Sequence, residues 1–211
     1  MDVALKAIYN DGNPGQFIGF KGVCSNNLIQ KNMKNVICSL GGNPCRIFYD
    51  SGLKNQRPTE NNYCYESRLF IDWGFGIGTY HSGAKKGHPI PIKKVNLSDI
   101  AVVTTRYPDQ KEDERIIVGI YKIDKIGKSS TKVGTMLFAD KNSRLELKKD
   151  IATHLKFWNY YKTSSVNKKE WHEGLFRYLE SKETDSILND LKELLDDADS
   201  RNILDSFRQV P

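Results

Sequence analysis

The stretch IAVVTTRYPDQKEDERIIVGIYKIDKI, residues 100–126, decides the fold. IAVVTTR and RIIVGIYKIDKI are rich in β-branched residues, which favour the pleated backbone and a two-sided burial. Between them lies YPDQKEDE, polar and opened by a Tyr-Pro-Asp turn signal. The pair reads as two buried strands joined as an antiparallel hairpin.

Outward from this hairpin, residues 2–9 read as a first strand that stops at the turn signal NDGNPG. QFIGFKGV (16–23) reads as the next strand. Ser25 is a good N-cap for a short helix running to about Asn35, and Val36–Ser39 reads as a short strand. Residues 46–66 are polar and read as irregular. YESRLFIDWGFGIGTYH reads as a strand bending at its glycines. TKVGTMLFAD reads as a strand and RLELKK as a further short element. After GLFRYL the chain is helical: KETDSILNDLKELLDDAD carries Ile187, Leu188, Leu191, Leu194 and Leu195 at helical spacing, and ILDSFRQ is a shorter amphipathic piece.

These elements define an α+β chain: a curved, mostly antiparallel, barrel-like sheet flanked by helices. Residues 1–181 form one domain and residues 182–211 an acidic amphipathic helical tail. Charge follows the same division. The tail holds four basic and eight acidic side chains, which leaves +10 on residues 1–181 within a net charge of +6. A basic body suits a polyanion, because each phosphate neutralised by Lys or Arg releases counterions.

Several function classes are excluded or unsupported. No apolar run approaches the roughly 18 residues needed to cross a membrane. The N-terminal residues have no basic n-region followed by an apolar h-region, so the expected location is the cytoplasm. There is no GxxxxGK[ST], no GxSxG, no HExxH and no deaminase pattern, and no catalytic constellation is written. Asp140 and the triplet Glu146-Leu147-Lys148 imitate a D…ExK nuclease site, but a gap of six residues is too short for the hairpin such a site needs. The four cysteines Cys24, Cys38, Cys45 and Cys64 contain no CxxC pair. They read first as buried thiols, with a scattered zinc site, followed by His81 and His88, as the alternative. No cofactor beyond such a structural zinc is expected.

The chemistry that stands out is aromatic residues interleaved with basic ones. Trp73 and Tyr80 precede Lys85 and Lys86, and Lys93 and Lys94 follow. LKFWNYYK sets Phe157, Trp158, Asn159, Tyr160 and Tyr161 between two lysines, with Trp171 and His172 beyond. Aromatic faces stack on unpaired or flipped bases while lysines hold phosphates. The competing reading is that these rings are core, where Trp and Phe usually lie.

Residues 17–39 and 100–123 resemble the YTH and EVE domains of the PUA-like superfamily. Lys21 falls on the lysine that ends a YTH strand, Asn27 on a later ligand-side asparagine, and Asn35-Val36-Ile37-Cys38-Ser39 on the strand after the helix. The central pair IAVVTTR…RIIVGIYKI is similar to the central strands of those sheets. The YTH cage tryptophan falls on Ile37 here, so Trp73, Tyr80 or Trp158 would have to build the cage. The resemblance implies a module that reads a modified or flipped base in DNA or RNA, as YTH domains read 6-methyladenine in RNA and EVE-like domains are linked to modified DNA in bacterial restriction and defence. It implies a binder and not an enzyme; on that reading Lys21, Lys85, Lys86, Lys93 and Lys94 would contact phosphates, Trp73, Tyr80 and Trp158 would offer stacking faces, Asn27 and Ser39 would bond a base edge, and Asn159 and Tyr160 are further candidate contacts. An effector nuclease or motor subunit would be the protein partner. The alternatives are a protein-interaction or regulatory domain that docks a partner through the tail helix, and a zinc- or cysteine-dependent enzyme.

Overall fold

The structure, a computed structural model, describes every residue except 14, 36, 55–57, 59–63, 81–82, 129–133, 162–168, 172–173 and 209–211. Val36, His81 and His172 therefore lie outside the described residues.

The hairpin organises the sheet as its sequence predicts. IAVVTT forms β3 (Ile100–Thr105), with all six residues buried. It pairs antiparallel with β4 (Ile116–Lys128), whose own antiparallel partner is β5 (Thr135–Glu146). β5 unites TMLFAD and RLE, which had read as two elements. β1 (Asp2–Lys6) pairs parallel with β3 and antiparallel with β6 (Phe176–Leu179), and β2 (Gly74–Gly76) pairs with β5. The strand order is β2-β5-β4-β3-β1-β6, a mixed sheet in which four of the five pairings are antiparallel. Register shifts at Val103/Thr104 and between Tyr121 and Lys125 bend the long strands and curl the sheet into a half-barrel. Its edges are the short strands β2 and β6, and a short edge is a poor template for foreign strands.

Helices fill the connections. α1 (Asn26–Asn32) starts at Ser25, whose Oγ accepts from the Leu28 N–H. The Asp11 carboxylate in turn accepts from the backbone and hydroxyl of Ser25, at 2.7 and 2.5 Å. α2 (Pro44–Asp50) lies where an irregular segment was expected. Its signal was Asn43-Pro44, an N-cap followed by proline at the first helical position, where the missing N–H costs nothing. The short α3 (Lys149–Ala152) follows β5. α4 (Ser181–Leu194) opens with a capping box between Glu180 and Glu183, and α5 (Ala198–Ser206) is capped by Asp197.

Three further expectations are corrected. Residues 16–23 contribute only one bridge, Phe17 to Lys148, because the backbone from Gly19 to Phe20 has positive φ and leaves the extended region. Residues 37–39 turn, with the Ser39 N–H bonded to the Asn35 carbonyl, and do not form a strand. FRYL, assigned to the run into the tail, is strand β6. The tail buries Ile187, Leu188, Leu191, Leu195, Leu204 and Phe207 in the same core cluster as the sheet, so its apolar face is already occupied.

Gly119 on β4 shows how tightly this core is closed. A Cβ there would stand 2.7 Å from Cζ of Phe70 and 3.2 Å from the Leu145 carbonyl oxygen. Gly119→Ala is expected to destabilise the chain by about 1–3 kcal/mol, the usual cost of overpacking, read as a lower urea midpoint at unchanged slope.

Candidate functional site

A cavity of about 390 Å³ opens between the C-terminal half of β5, the Phe17 bridge and the junction of α4 with α5. β5 ends in Arg144-Leu145-Glu146, followed by Leu147-Lys148. Side chains two apart in a strand share a face, so this alternation aims Arg144, Glu146 and Lys148 one way while Leu145 and Leu147 are buried. All three charged residues line the cavity.

Opposite them is Trp73. Leu69–Trp73 is a π-type turn, and Trp73 leaves it with φ 48°, in the left-handed region. A bulky residue there is strained, and π-turns and such strain concentrate at functional sites. The indole is wedged against Phe70, with ring centroids 5.0 Å apart, and lies edge-on to Tyr121. Arg144 sits over it with Cζ 5.2 Å from the ring centroid. Among the described residues no carboxylate pairs with Arg144. Glu146 uses Oε1 to pair with the ammonium of Lys21, while its buried Oε2 has no hydrogen-bond partner. A buried acceptor without a donor is uncommon in native proteins. Lys21 also lies 4.8 Å from the Phe17 ring centroid.

The segment carrying Phe17 and Lys21 is fixed by one side chain. Asn10 is fully buried. Its Oδ1 accepts from the N–H groups of Gly12 and Phe20, and its Nδ2 donates to the Gly22 carbonyl, the Cys24 sulfur and Ser67 Oγ. The backbone crosses itself so closely that a Cβ on Gly12 would lie 2.1 Å from the Gly22 oxygen.

Of the residues singled out from sequence, Trp73 lines this cavity, and Lys21 joins it through its ion pair with Glu146. Arg144 was missed and Glu146 was weighed only within the nuclease-like triplet, although RLELK already carried the alternation that faces both inward. Glu146 and Lys148 of the E-x-K triplet line the cavity, and Asp140 does not. Asn27 is exposed on α1 and Ser39 half-buried in the following turn, and neither lines the cavity. Tyr80, Lys85, Lys86, Lys93 and Lys94 do not line the cavity, and Lys93 and Lys94 lie against Tyr178 of β6. Lys85 Nζ lies 5.8 Å from the Tyr80 ring centroid and Lys94 Nζ 5.5 Å from that of Tyr178. Lys86 and Lys93 are exposed beside them. Trp158 is core: it is 5% exposed and packs on Phe157, Tyr161 and Trp171. Asn159 is exposed, and the Tyr160 hydroxyl donates to Asp190 on α4 at 2.6 Å.

The cysteines gather in a satellite cluster with Leu28, Ile29 and Phe48. Interaction between the Cys45 and Cys64 thiols holds Cys45 below and Cys64 above the usual thiol range. Burial pushes the Cys24 thiol up, and Cys38 up to about 12. Among the described residues no group of three or more His, Cys, Asp or Glu side chains is placed to hold a metal ion. Nor is any described helix long and apolar enough to cross a membrane.

No family model, no curated protein and no solved structure matches the chain.

Proposed function

We propose that the chain is a nucleic-acid-binding module that reads a modified or flipped base in the Trp73–Arg144–Glu146 cavity. On this reading the half-barrel is a PUA-like sheet of YTH/EVE type and serves as the recognition part of a bacterial restriction or defence system, binding DNA or RNA without performing chemistry on it. The observation that carries the reading is the unpartnered Glu146 Oε2 beside the stacked Arg144 and Trp73. Arginine planes and indoles stack on splayed bases, and a carboxylate accepts from an exocyclic amino group such as cytosine N4. The cavity therefore favours adenine or cytosine and their methylated forms that keep an N–H over uracil or thymine, which present a carbonyl oxygen there. The basic surface at Lys85, Lys86, Lys93 and Lys94 would follow the phosphate backbone.

Titration of nucleosides against intrinsic tryptophan fluorescence tests this directly. Amino-bearing nucleosides should bind about tenfold or more tighter than uridine and thymidine, the discrimination of one well-made base-edge contact. Glu146→Gln should narrow that gap, because an amide can rotate to offer either an acceptor or a donor. Equal binding of all nucleosides by the unaltered chain would sink the reading.

A further inference from the structure

A second cleft, of about 270 Å³, lies on another part of the molecule and shares no lining residue with the first. It is formed where β1 ends, beside the C-terminal end of α1 and the Arg106–Asp109 turn. Five cations line it: Lys6, Lys31, Lys34, Arg106 and Arg115. Among the described residues two carboxylates form ion pairs with them. Asp109 pairs with Lys31 and Lys34 at the rim, at 3.6 and 3.2 Å. Glu112 takes Arg115 through Nε and Nη2 and stands 3.6 Å from Arg106 Nε.

Five cations against two carboxylates leave an excess of three positive charges in the cleft. Arg115 is 2% exposed, stacked over the Trp171 ring, and its buried Nη1 has no hydrogen-bond partner. Lys6 is half-buried and forms no ion pair among the described residues. Burial, and then the neighbouring Arg115 guanidinium, hold its ammonium below the usual lysine range. Assembling like charges in a partly desolvated cleft is costly, and unpaired buried charge costs most. A bound anion would remove the cost. The cleft is smaller than the 300–1,000 Å³ typical of pockets for drug-sized ligands, which suits a phosphoryl group better than a whole cofactor.

We propose that this cleft is a phosphate-binding site, in which Lys6, Arg106 and the free Nη1 of Arg115 hold the oxygens of one phosphate group. The site stands independently of base reading in the first cavity. The group can be free phosphate or a phosphate of a nucleic acid, and the chemistry of capture is the same.

Calorimetric titration of the full chain with inorganic phosphate, at ionic strength held constant with chloride, tests the site. One saturable phosphate per chain is expected. Lys6→Met, which keeps the apolar stem, should weaken it about tenfold or more, as loss of a charge-assisted contact does. Arg106→Gln, at a half-buried rim position, should weaken it in the same direction and serves if Lys6→Met fails to fold. Arg144→Ala, in the other cavity, should leave it unchanged. Matched oligonucleotides with and without a 5′-phosphate, each competed with inorganic phosphate, separate the sources. Preference for the phosphorylated end assigns a terminal phosphate, and equal competition from both assigns the backbone. Absence of saturable phosphate binding, or equal binding by the unaltered chain and both cleft variants, overturns the proposal whatever the nucleosides do in the first cavity.

Discussion

Arg144→Ala is expected to lower affinity for an oligonucleotide carrying the preferred base by roughly tenfold to hundredfold, since base stacking is worth about 1–3 kcal/mol per base. Arg144 is the residue to change because it is half-buried and forms no ion pair among the described residues, so its loss should leave the fold intact. Trp73 is the poorer choice. It is 8% exposed and packs on Phe70, and a Trp→Ala change in such a site costs about 3–5 kcal/mol of stability by itself. Arg144→Lys separates plane from charge. Lysine keeps the cation but cannot offer a flat stacking face, so base preference should fall nearly as far as with alanine while the salt dependence stays near that of the unaltered chain. Lys85→Ala should show the opposite pattern: a uniform loss across all sequences and a shallower salt slope, with base preference retained. Anisotropy titrations at two salt concentrations read both patterns. Equal behaviour of Arg144→Ala and Lys85→Ala across preferred and plain oligonucleotides would contradict a stacking role for Arg144.

Asn10→Ala is expected to be strongly destabilising. It deprives the Gly12 and Phe20 N–H groups of their acceptor and the Gly22 carbonyl of a donor, all around a side chain with no solvent exposure. Each buried polar group left unsatisfied costs about 1–3 kcal/mol, so a total of about 3 kcal/mol or more is expected, a large part of the 5–15 kcal/mol that holds a typical domain folded. Urea denaturation followed by circular dichroism measures it. The damage should reach the cavity, because the same amide network fixes the segment that presents Phe17 and Lys21. Chain that remains folded at low temperature should bind the preferred base more weakly. A loss under about 1 kcal/mol would mean that water replaces the amide and that Asn10 is not the anchor described here.

The hairpin was legible because its signal is local. β-branched runs on either side of a proline turn specify both strands and their pairing, and β3 and β4 appear where that pattern puts them. The amphipathic α4 was legible for the same reason, from leucines at helical spacing. Periodicity reveals which face of an element is apolar but not which element will cover it. Hence the parallel pairing of β1 with β3, across almost a hundred residues, and the use of FRYL as an edge strand beside β1, carry no local mark. At the site, Lys21 and Trp73 were visible as a lysine at a strand end and an aromatic among glycines. That Lys21 reaches Glu146 and Trp73 reaches Arg144 depends on the bulges that curl β5 and on the Asn10 network, both set by tertiary packing. Trp158 shows the converse. Flanking lysines suggested an exposed ring, but Phe157, Tyr161 and Trp171 enclose it, and the lysine pattern reports only on the surface around that cluster.

The central claim is that the Trp73–Arg144–Glu146 cavity reads a base. It is tested most directly by fluorescence anisotropy of the unaltered chain against single- and double-stranded DNA and RNA, each plain and carrying 6-methyladenine or 5-methylcytosine, at low and high salt. The account predicts tighter binding to one modified oligonucleotide, with the preference surviving at high salt because base contacts release few counterions. Binding that is equal for every oligonucleotide and disappears uniformly as salt rises would contradict it.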